Sequence, residues 1–168
     1  FDSAGYSCSG PYICILSAGI VTLKDCKFQN YDSSNRFGPY LVHGGRTEML
    51  RTDFTNCYSA PVEDTDGGTA IGFRTSFLSS TPAQVSLCEC NFSNCGRGSR
   101  ITDTPIYAPA NATLTITDTN FTNNAGYNGG AITINNGDVT VNGGNFSGNT
   151  STTGGGASSA INNGILRL

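Results

Sequence analysis

The chain has 168 residues, a formal net charge of −3 and only 12% charged residues. This length fits one domain, and a surface so poor in Lys and Arg argues against nucleic acid or anionic membrane as a partner. No apolar run approaches the roughly 20 residues of a spanning helix, so we expect no membrane insertion by this segment. Almost half of the residues are Gly, Ser, Thr or Asn, and no window keeps a helical apolar period.

Five strand patterns follow one another along the chain, and each ends in a Phe followed by a turn. The positions seven and five before each Phe are apolar, with Thr47 as the one exception, and their spacing of two places both side chains on one face of a strand. The Phe residues are Phe28, Phe54, Phe92, Phe121 and Phe146. A second apolar pair lies upstream of each: Tyr12/Ile13, Tyr40/Leu41, Ala70/Ile71, Ile106/Tyr107 and Ala131/Ile132.

Successive Phe residues are 26, 38, 29 and 25 positions apart, which is the period of a solenoid. Short strands between Gly and Asn turns favour an all-β fold: a right-handed parallel β-helix of about 5–6 coils of 25–29 residues. The longest interval predicts a loop excursion over 58–84. We expect residues 1–168 to form a single β-helix domain and, because neither end carries a polar cap, an internal segment of a longer repeat protein.

The turn after each Phe carries Asn at one fixed offset in four of five copies. Parallel stacking would place these amides above one another, so the pattern predicts a hydrogen-bonded Asn ladder and, inside the coils, a stacked Phe column. Asn and Gly also tolerate the left-handed backbone of a sharp corner. The ladder residues are Asn30, Asn56, Asn94 and Asn123.

The segment 121–132 reads Phe-Thr-Asn-Asn-Ala-Gly-Tyr-Asn-Gly-Gly-Ala-Ile. It resembles the repeats of the chlamydial polymorphic outer-membrane proteins, which carry the motifs F-x-x-N and G-G-A-I. Here Phe121 with Asn124 and Phe146 with Asn149 match the first motif, and Gly129–Ile132 matches the second. The resemblance implies a right-handed β-helix and a cell-surface adhesin passenger.

Five sequons of the form N-x-S/T occur in the chain, which is typical of secreted eukaryotic proteins. Three of them directly precede a Phe, and strand alternation turns these outward if the Phe points inward. If the source glycosylates, we expect a column of glycans along one face. The candidate N-glycosylation residues are Asn91, Asn111, Asn120, Asn145 and Asn149.

The seven cysteines all lie within the first 95 residues. Cys57 and Cys95 share an offset in consecutive coils, and a coil rise of about 4.8 Å falls within the Cα range of a disulfide, so we expect a bond between them. An odd number leaves one thiol free or bonded to another chain. The pair Cys88 and Cys90 has the wrong spacing for zinc, and the acidic run 63–66 lacks the later ligands of a calcium loop, so we expect no metal and no cofactor.

One column of charged residues keeps a catalytic alternative open. Asp25, Arg51, Glu89 and Asp118 all lie three positions before a Phe. Glu89 and Asp118 in adjacent coils could meet the separation of about 5–9.5 Å between glycosidase carboxylates. A surface ion-pair ladder explains the column equally well. The lone histidine, His43, fits a turn.

Together these patterns predict a non-catalytic, extracellular or cell-surface structural or adhesive module: a rigid stalk, an adhesin passenger or a filament subunit. The alternative is a polysaccharide-active β-helix enzyme, a lyase or glycoside hydrolase. Expected partners are a host-cell receptor, a surface glycan or the chain itself, stacked head to tail. The expected location is secreted or on the cell surface.

Overall fold

The computed structural model describes residues 12–15, 19–33, 38–59, 67–73, 81–99 and 102–168, and within these ranges it contains strands and turns and no helix. Three parallel sheets form the walls of a β-solenoid of about five turns. Sheet I contains Ile20–Lys24, Gly45–Leu50, Ala83–Cys88, Ala112–Thr117, Asp138–Asn142 and Ile165–Arg167. Sheet II contains Lys27–Gln29, Asp53–Thr55, Asn91–Ser93, Asn120–Thr122 and Asn145–Ser147. Sheet III contains Ile13–Ile15, Tyr40–Val42, Ile71–Phe73, Ile106–Ala108, Ile132–Asn135 and Ser158–Ile161.

Two short two-stranded sheets continue the wall beyond sheet II. One pairs Asp32–Ser33 with Tyr58–Ser59, and the other pairs Ala125–Gly126 with Thr150–Ser151. All strands pair with the equivalent strand of the next coil and in the same direction. The predicted parallel β-helix is therefore confirmed.

The predicted Phe column is confirmed as a continuous stack in sheet II. Neighbouring rings lie 4.7 to 4.9 Å apart between centroids and are tilted by 5 to 15°. The first four rings are fully buried, and Phe146 in the last strand of sheet II is half-buried. Offset ring stacking adds to the burial of apolar area, so this column is the centre of the core.

The apolar pairs of sheet I point inward in the predicted register. Val85, for example, lies between Thr47 and Leu114, and Leu87 between Met49 and Ile116. Thr47, the exception in the sequence, is fully buried, and its hydroxyl is 3.0 Å from the hydroxyl of Tyr40. The bond satisfies both polar groups inside the core, and burial raises the pKa of Tyr40 to about 12.

The upstream apolar pairs lie in sheet III, but they do not all align in the same way from coil to coil. The structure pairs Ile13 with Tyr40 and Tyr40 with Ile71, so the second residue of one pair aligns with the first residue of the next. The sequence could not fix this register because the number of residues between sheet III and the Phe differs from coil to coil.

The predicted excursion over 58–84 is interrupted by a core strand. Ile71–Phe73 belongs to sheet III, and Gly67 bridges back to Phe73 in antiparallel fashion. Tyr58–Ser59 and the start of Ala83–Cys88 are also part of the solenoid wall. The remaining segments, 60–66 and 74–80, lie outside the described residues, as does the acidic run 63–66.

Glycines before sheet III allow two backbone segments to touch. A Cβ on Gly129 would lie 2.0 Å from the carbonyl oxygen of Ile132, and one on Gly68 would lie 1.9 Å from that of Ile71. A Cβ on Gly130 would lie 1.9 Å from the carbonyl oxygen of Gly156 in the next coil. Only glycine fits such contacts, and this explains why the G-G-A-I motif precedes the strand.

Candidate functional site

A shallow groove crosses the outer face of sheet I. Its volume is about 370 Å³, and it spans the strands Gly45–Leu50, Ala83–Cys88 and Ala112–Thr117. The lining side chains are Arg46, Gln84, Ser86, Thr113 and Thr115. All of them are half-buried or exposed, so the groove presents polar side chains to the solvent.

Strand register builds this groove from two rows of outward side chains. Arg46, Gln84 and Thr113 are directly paired in one row, and Glu48, Ser86 and Thr115 are paired in the other. Neighbours in a row are about 4.8 Å apart, and the rows are separated by two residues of strand. Among these residues, Arg46 and Glu48 form an ion pair at 2.6 Å with both side chains about half exposed.

The charged column Asp25, Arg51, Glu89 and Asp118 forms a corner between sheets I and II. All four residues have φ values between 46 and 53°, and Gly143 with φ 75° takes the same place in the next coil. Arg51 donates two hydrogen bonds to Asp25, at 2.6 and 3.1 Å, and these bonds lower the pKa of that carboxyl. The column thus marks a corner with a left-handed backbone. The residue types that occupy this corner adopt that backbone conformation with unequal ease.

Glu89 is poorly suited to this corner, and replacing it should stabilise the fold. Asn adopts the left-handed region more readily than Glu, so we expect Glu89→Asn to raise the free energy of unfolding by about 0.5 kcal/mol. The matched control is Gln84→Asn in the adjacent strand, where Asn is disfavoured and stability should stay level or fall. Urea denaturation measures both variants, and a destabilised Glu89→Asn would contradict the corner assignment.

Three of the five sequons lie in one outward column on sheet II. Asn91, Asn120 and Asn145 are exposed and occupy equivalent places in consecutive coils. Asn91 donates to Asp53 at 2.8 Å, and Asn120 donates to Asn91 at 3.0 Å. The column is accessible for sugar attachment, and its amides bind one another in the bare chain.

The other two sequons differ from this column and from each other. Asn111 is exposed at a left-handed corner before sheet I, with φ 65°. Asn149 points toward the core: its amide nitrogen donates to the carbonyl of Phe121 at 2.9 Å, and its oxygen accepts bonds from Asn124. Its amide nitrogen is thus engaged, as are those of Asn91 and Asn120, and glycosylation of Asn149 stays a prediction.

The predicted ladder residues Asn30, Asn56, Asn94 and Asn123 all adopt left-handed φ values of 53 to 55°, at the corner after sheet II. Asn56 donates to Asn30 at 3.0 Å. The next position turns inward and carries a second polar column that sequence reasoning missed: Tyr31, Cys57, Cys95, Asn124 and Asn149. The strict F-x-x-N motif was the available signal, because its Asn is this inward residue and not the corner residue.

Inward Asn and Cys side chains use the same carbonyl acceptors. Asn124 donates to Phe92 O at 3.0 Å and accepts from the backbone N–H of Cys95 at 2.9 Å. Cys95 donates through its thiol to Phe54 O at 3.6 Å, and Cys57 to Phe28 O at 3.8 Å. Each side chain thus binds the Phe carbonyl of the preceding coil, strongly through amides and weakly through thiols.

The predicted disulfide between Cys57 and Cys95 is not present. Both residues are buried free thiols, as is Cys90. The hydrogen bond with Cys95, together with burial, raises the pKa of the Cys57 thiol. Burial also raises the pKa of Cys90. In-register stacking brought the two cysteines together as expected, but each sulfur is directed at a backbone carbonyl.

Thiol labelling distinguishes free thiols at Cys57 and Cys95 from a disulfide between them. In native protein at pH 8 we expect rapid modification of the exposed Cys14 and protection of Cys57, Cys90 and Cys95, because they are buried and two of them hold their protons more tightly. In denaturant without reductant, peptide mass spectrometry should find all of these thiols labelled. If Cys57 and Cys95 stayed unlabelled in denaturant and reacted only after reduction, the two residues would be disulfide-bonded, contrary to the structure.

An arginine clamp that the sequence did not reveal ties three coils together. Arg97 donates to Asp32 at 2.8 Å, and its guanidinium carbon lies 4.7 Å from the ring centroid of Tyr58. Nearby, the fully buried Asp103 accepts bonds from Arg97 N–H at 3.0 Å and from Ser99 N–H at 2.9 Å. Arg97 is too distant in sequence from Asp32 and Tyr58 for spacing to connect them.

No group of three or more His, Cys, Asp or Glu side chains that could hold a metal occurs in the ranges that the structure covers. Nor do those ranges contain a helix that is long and apolar enough to cross a membrane. No family model, curated protein or solved structure matches the chain. The resemblance to the polymorphic outer-membrane proteins stays a prediction.

Proposed function

We propose that the chain is a non-catalytic structural or adhesive solenoid module, acting outside the cell or on its surface as a rigid stalk, an adhesin passenger or a filament subunit. The observation that carries the proposal is the unbroken Phe stack, in which five rings follow each other at 4.7 to 4.9 Å. Each of the five coils that carry a stacked Phe is thereby fixed against its neighbours, which resists bending and local opening.

Hydrogen-bonded columns on the wall and at the corners support the same proposal. Asp53, Asn91 and Asn120 are linked outside sheet II, and Asn124 is linked to Asn149 at the inward corner. The side-chain amides of these Asn residues therefore join each coil to the next by hydrogen bonds. Candidate partners of such a rod are a host-cell receptor, a surface glycan or another copy of the chain.

Electron microscopy of the protein in its native source, combined with intact-mass analysis, tests this function. Rods projecting from cell surfaces or continuous fibres are the expected result, and sugar mass on Asn91, Asn120 or Asn145 would add a glycoprotein coat. A freely diffusing protein found neither on surfaces nor in fibres would overturn the proposal.

The second candidate, a polysaccharide-active enzyme, rests on the adjacent corners occupied by Glu89 and Asp118. The preceding residues, Cys88 and Thr117, are direct register partners, so the two corners lie about one coil rise apart in the backbone. Release of reducing ends from a polysaccharide, abolished by Glu89→Gln and by Asp118→Asn, would establish this alternative. Turnover that survives both substitutions would exclude these carboxylates as the catalytic pair.

A further inference from the structure

We propose that the groove on sheet I binds a neutral polysaccharide, laid along the axis of the solenoid. The inference deepens the proposed adhesive function and rests on it, by naming one ligand class and one site. It starts from the lining, in which four of the five outward side chains are uncharged: Gln84, Ser86, Thr113 and Thr115.

The chemistry of these side chains favours hydroxyl groups as partners. A Ser or Thr hydroxyl and a Gln amide each donate and accept hydrogen bonds, and so does every hydroxyl of a sugar. An anionic ligand has little to gain, because Glu48 already neutralises Arg46 at 2.6 Å. An apolar ligand would leave the lining amide and hydroxyls without partners.

An extended peptide is a poorer fit than a sugar chain. Peptides commonly add to a sheet through main-chain hydrogen bonds at an open edge. Ala83–Cys88 is paired on both sides, with Gly45–Leu50 and with Ala112–Thr117. The groove therefore offers a ligand side chains only, and these repeat at regular intervals.

Register extends the groove along the axis and suggests a polymer. Thr115 is paired with Thr140 in the next coil, and Thr113 with Asp138. On the other side Ile20, which is 76% exposed, is the register partner of Arg46. Its aliphatic surface suits the C–H face of a sugar ring, so a chain of rings can contact several coils at once.

Native affinity electrophoresis tests the proposal with defined probes. Gels are cast with a neutral polysaccharide (hydroxyethyl cellulose, xyloglucan or dextran) or with an anionic one (heparin or polygalacturonate). We expect retardation by at least one neutral probe and none by the anionic probes. Ser86→Arg should fill the groove and weaken the interaction at least tenfold.

The matched control is Thr150→Arg, which adds the same charge at an exposed position of the strand Thr150–Ser151 and keeps every sequon intact. It should bind like the parent chain, and thermal melting shows whether each variant is folded. Thr115→Arg is a second blocking variant if Ser86→Arg unfolds. Lack of retardation by every neutral probe, or equal binding by both blocking variants and the control, would overturn the groove assignment.

The outcome of these experiments separates polysaccharide binding in the groove from the broader structural or adhesive function. Rods on cell surfaces without polysaccharide binding would keep the structural function and remove the groove. Binding accompanied by release of reducing ends would support the groove and overturn the non-catalytic function.

Discussion

Phe92→Ala should lower the free energy of unfolding by about 3–5 kcal/mol, because it removes a fully buried ring and leaves a cavity. Phe92 also stacks on two rings, with centroids 4.9 Å from Phe54 and 4.8 Å from Phe121. Both stacking contacts are lost in the variant. Urea denaturation, followed by circular dichroism and by tyrosine fluorescence, measures the change.

The same substitution at Phe146 is the matched control. This ring is half-buried and its described stacking partner is Phe121 alone, so we expect a loss below about 2 kcal/mol. Equal losses at Phe92 and Phe146 would mean that the centre of the stack is no more important than its end. The proposed rigidity would then have to come from the hydrogen-bonded walls.

Asn124→Ala should lower the free energy of unfolding by about 3 kcal/mol, since it leaves buried groups without partners. The side chain accepts from Cys95 N–H at 2.9 Å and donates to Phe92 O at 3.0 Å and Asn149 Oδ1 at 2.9 Å. Alanine replaces none of these bonds. Thermal and urea denaturation under reducing conditions provide the measurement.

Two further variants make this test specific. Asn124→Cys copies the preceding coil, where the thiol of Cys95 reaches the Phe54 carbonyl, so its stability should fall between those of Asn124→Ala and the parent chain. Asn142→Ala, at an exposed strand end, should change stability by no more than about 0.5 kcal/mol. If Asn124→Cys were no better than Asn124→Ala, thiols would not substitute for amides in this column.

Much of the fold could be predicted from sequence because the repeat is strongest in sheets I and II. The apolar pair and the Phe recur at fixed spacing, and the parallel register follows from that spacing alone. The register of sheet III was harder to predict from sequence. Variable segments separate this sheet from the Phe, and a one-residue shift leaves the local apolar pattern almost unchanged. The strand Ile71–Phe73 was indicated only by the apolar pair Ala70/Ile71 within the predicted excursion.

The polar columns show where spacing is insufficient. Asn at a corner and Asn one residue later look alike in sequence, but the first has a left-handed backbone and the second points inward. Equal offsets for Cys57 and Cys95 correctly implied proximity. Disulfide formation also depends on the direction of the side chains, and nearby backbone carbonyls compete as hydrogen-bond acceptors for each thiol. The groove depends on which outward side chains are short, and that becomes visible only once three coils are aligned.

Coil-to-coil pairing has a consequence for how the length of such a protein can change. The equivalent corners Asp118 and Gly143 are 25 residues apart, and each strand between them pairs only with the coil before and the coil after. A gene segment that encodes one such unit could be duplicated or deleted without altering the register of the remaining walls. The length of the solenoid would then change by whole coils, in steps of about 4.8 Å. The surface side chains of each coil could evolve separately.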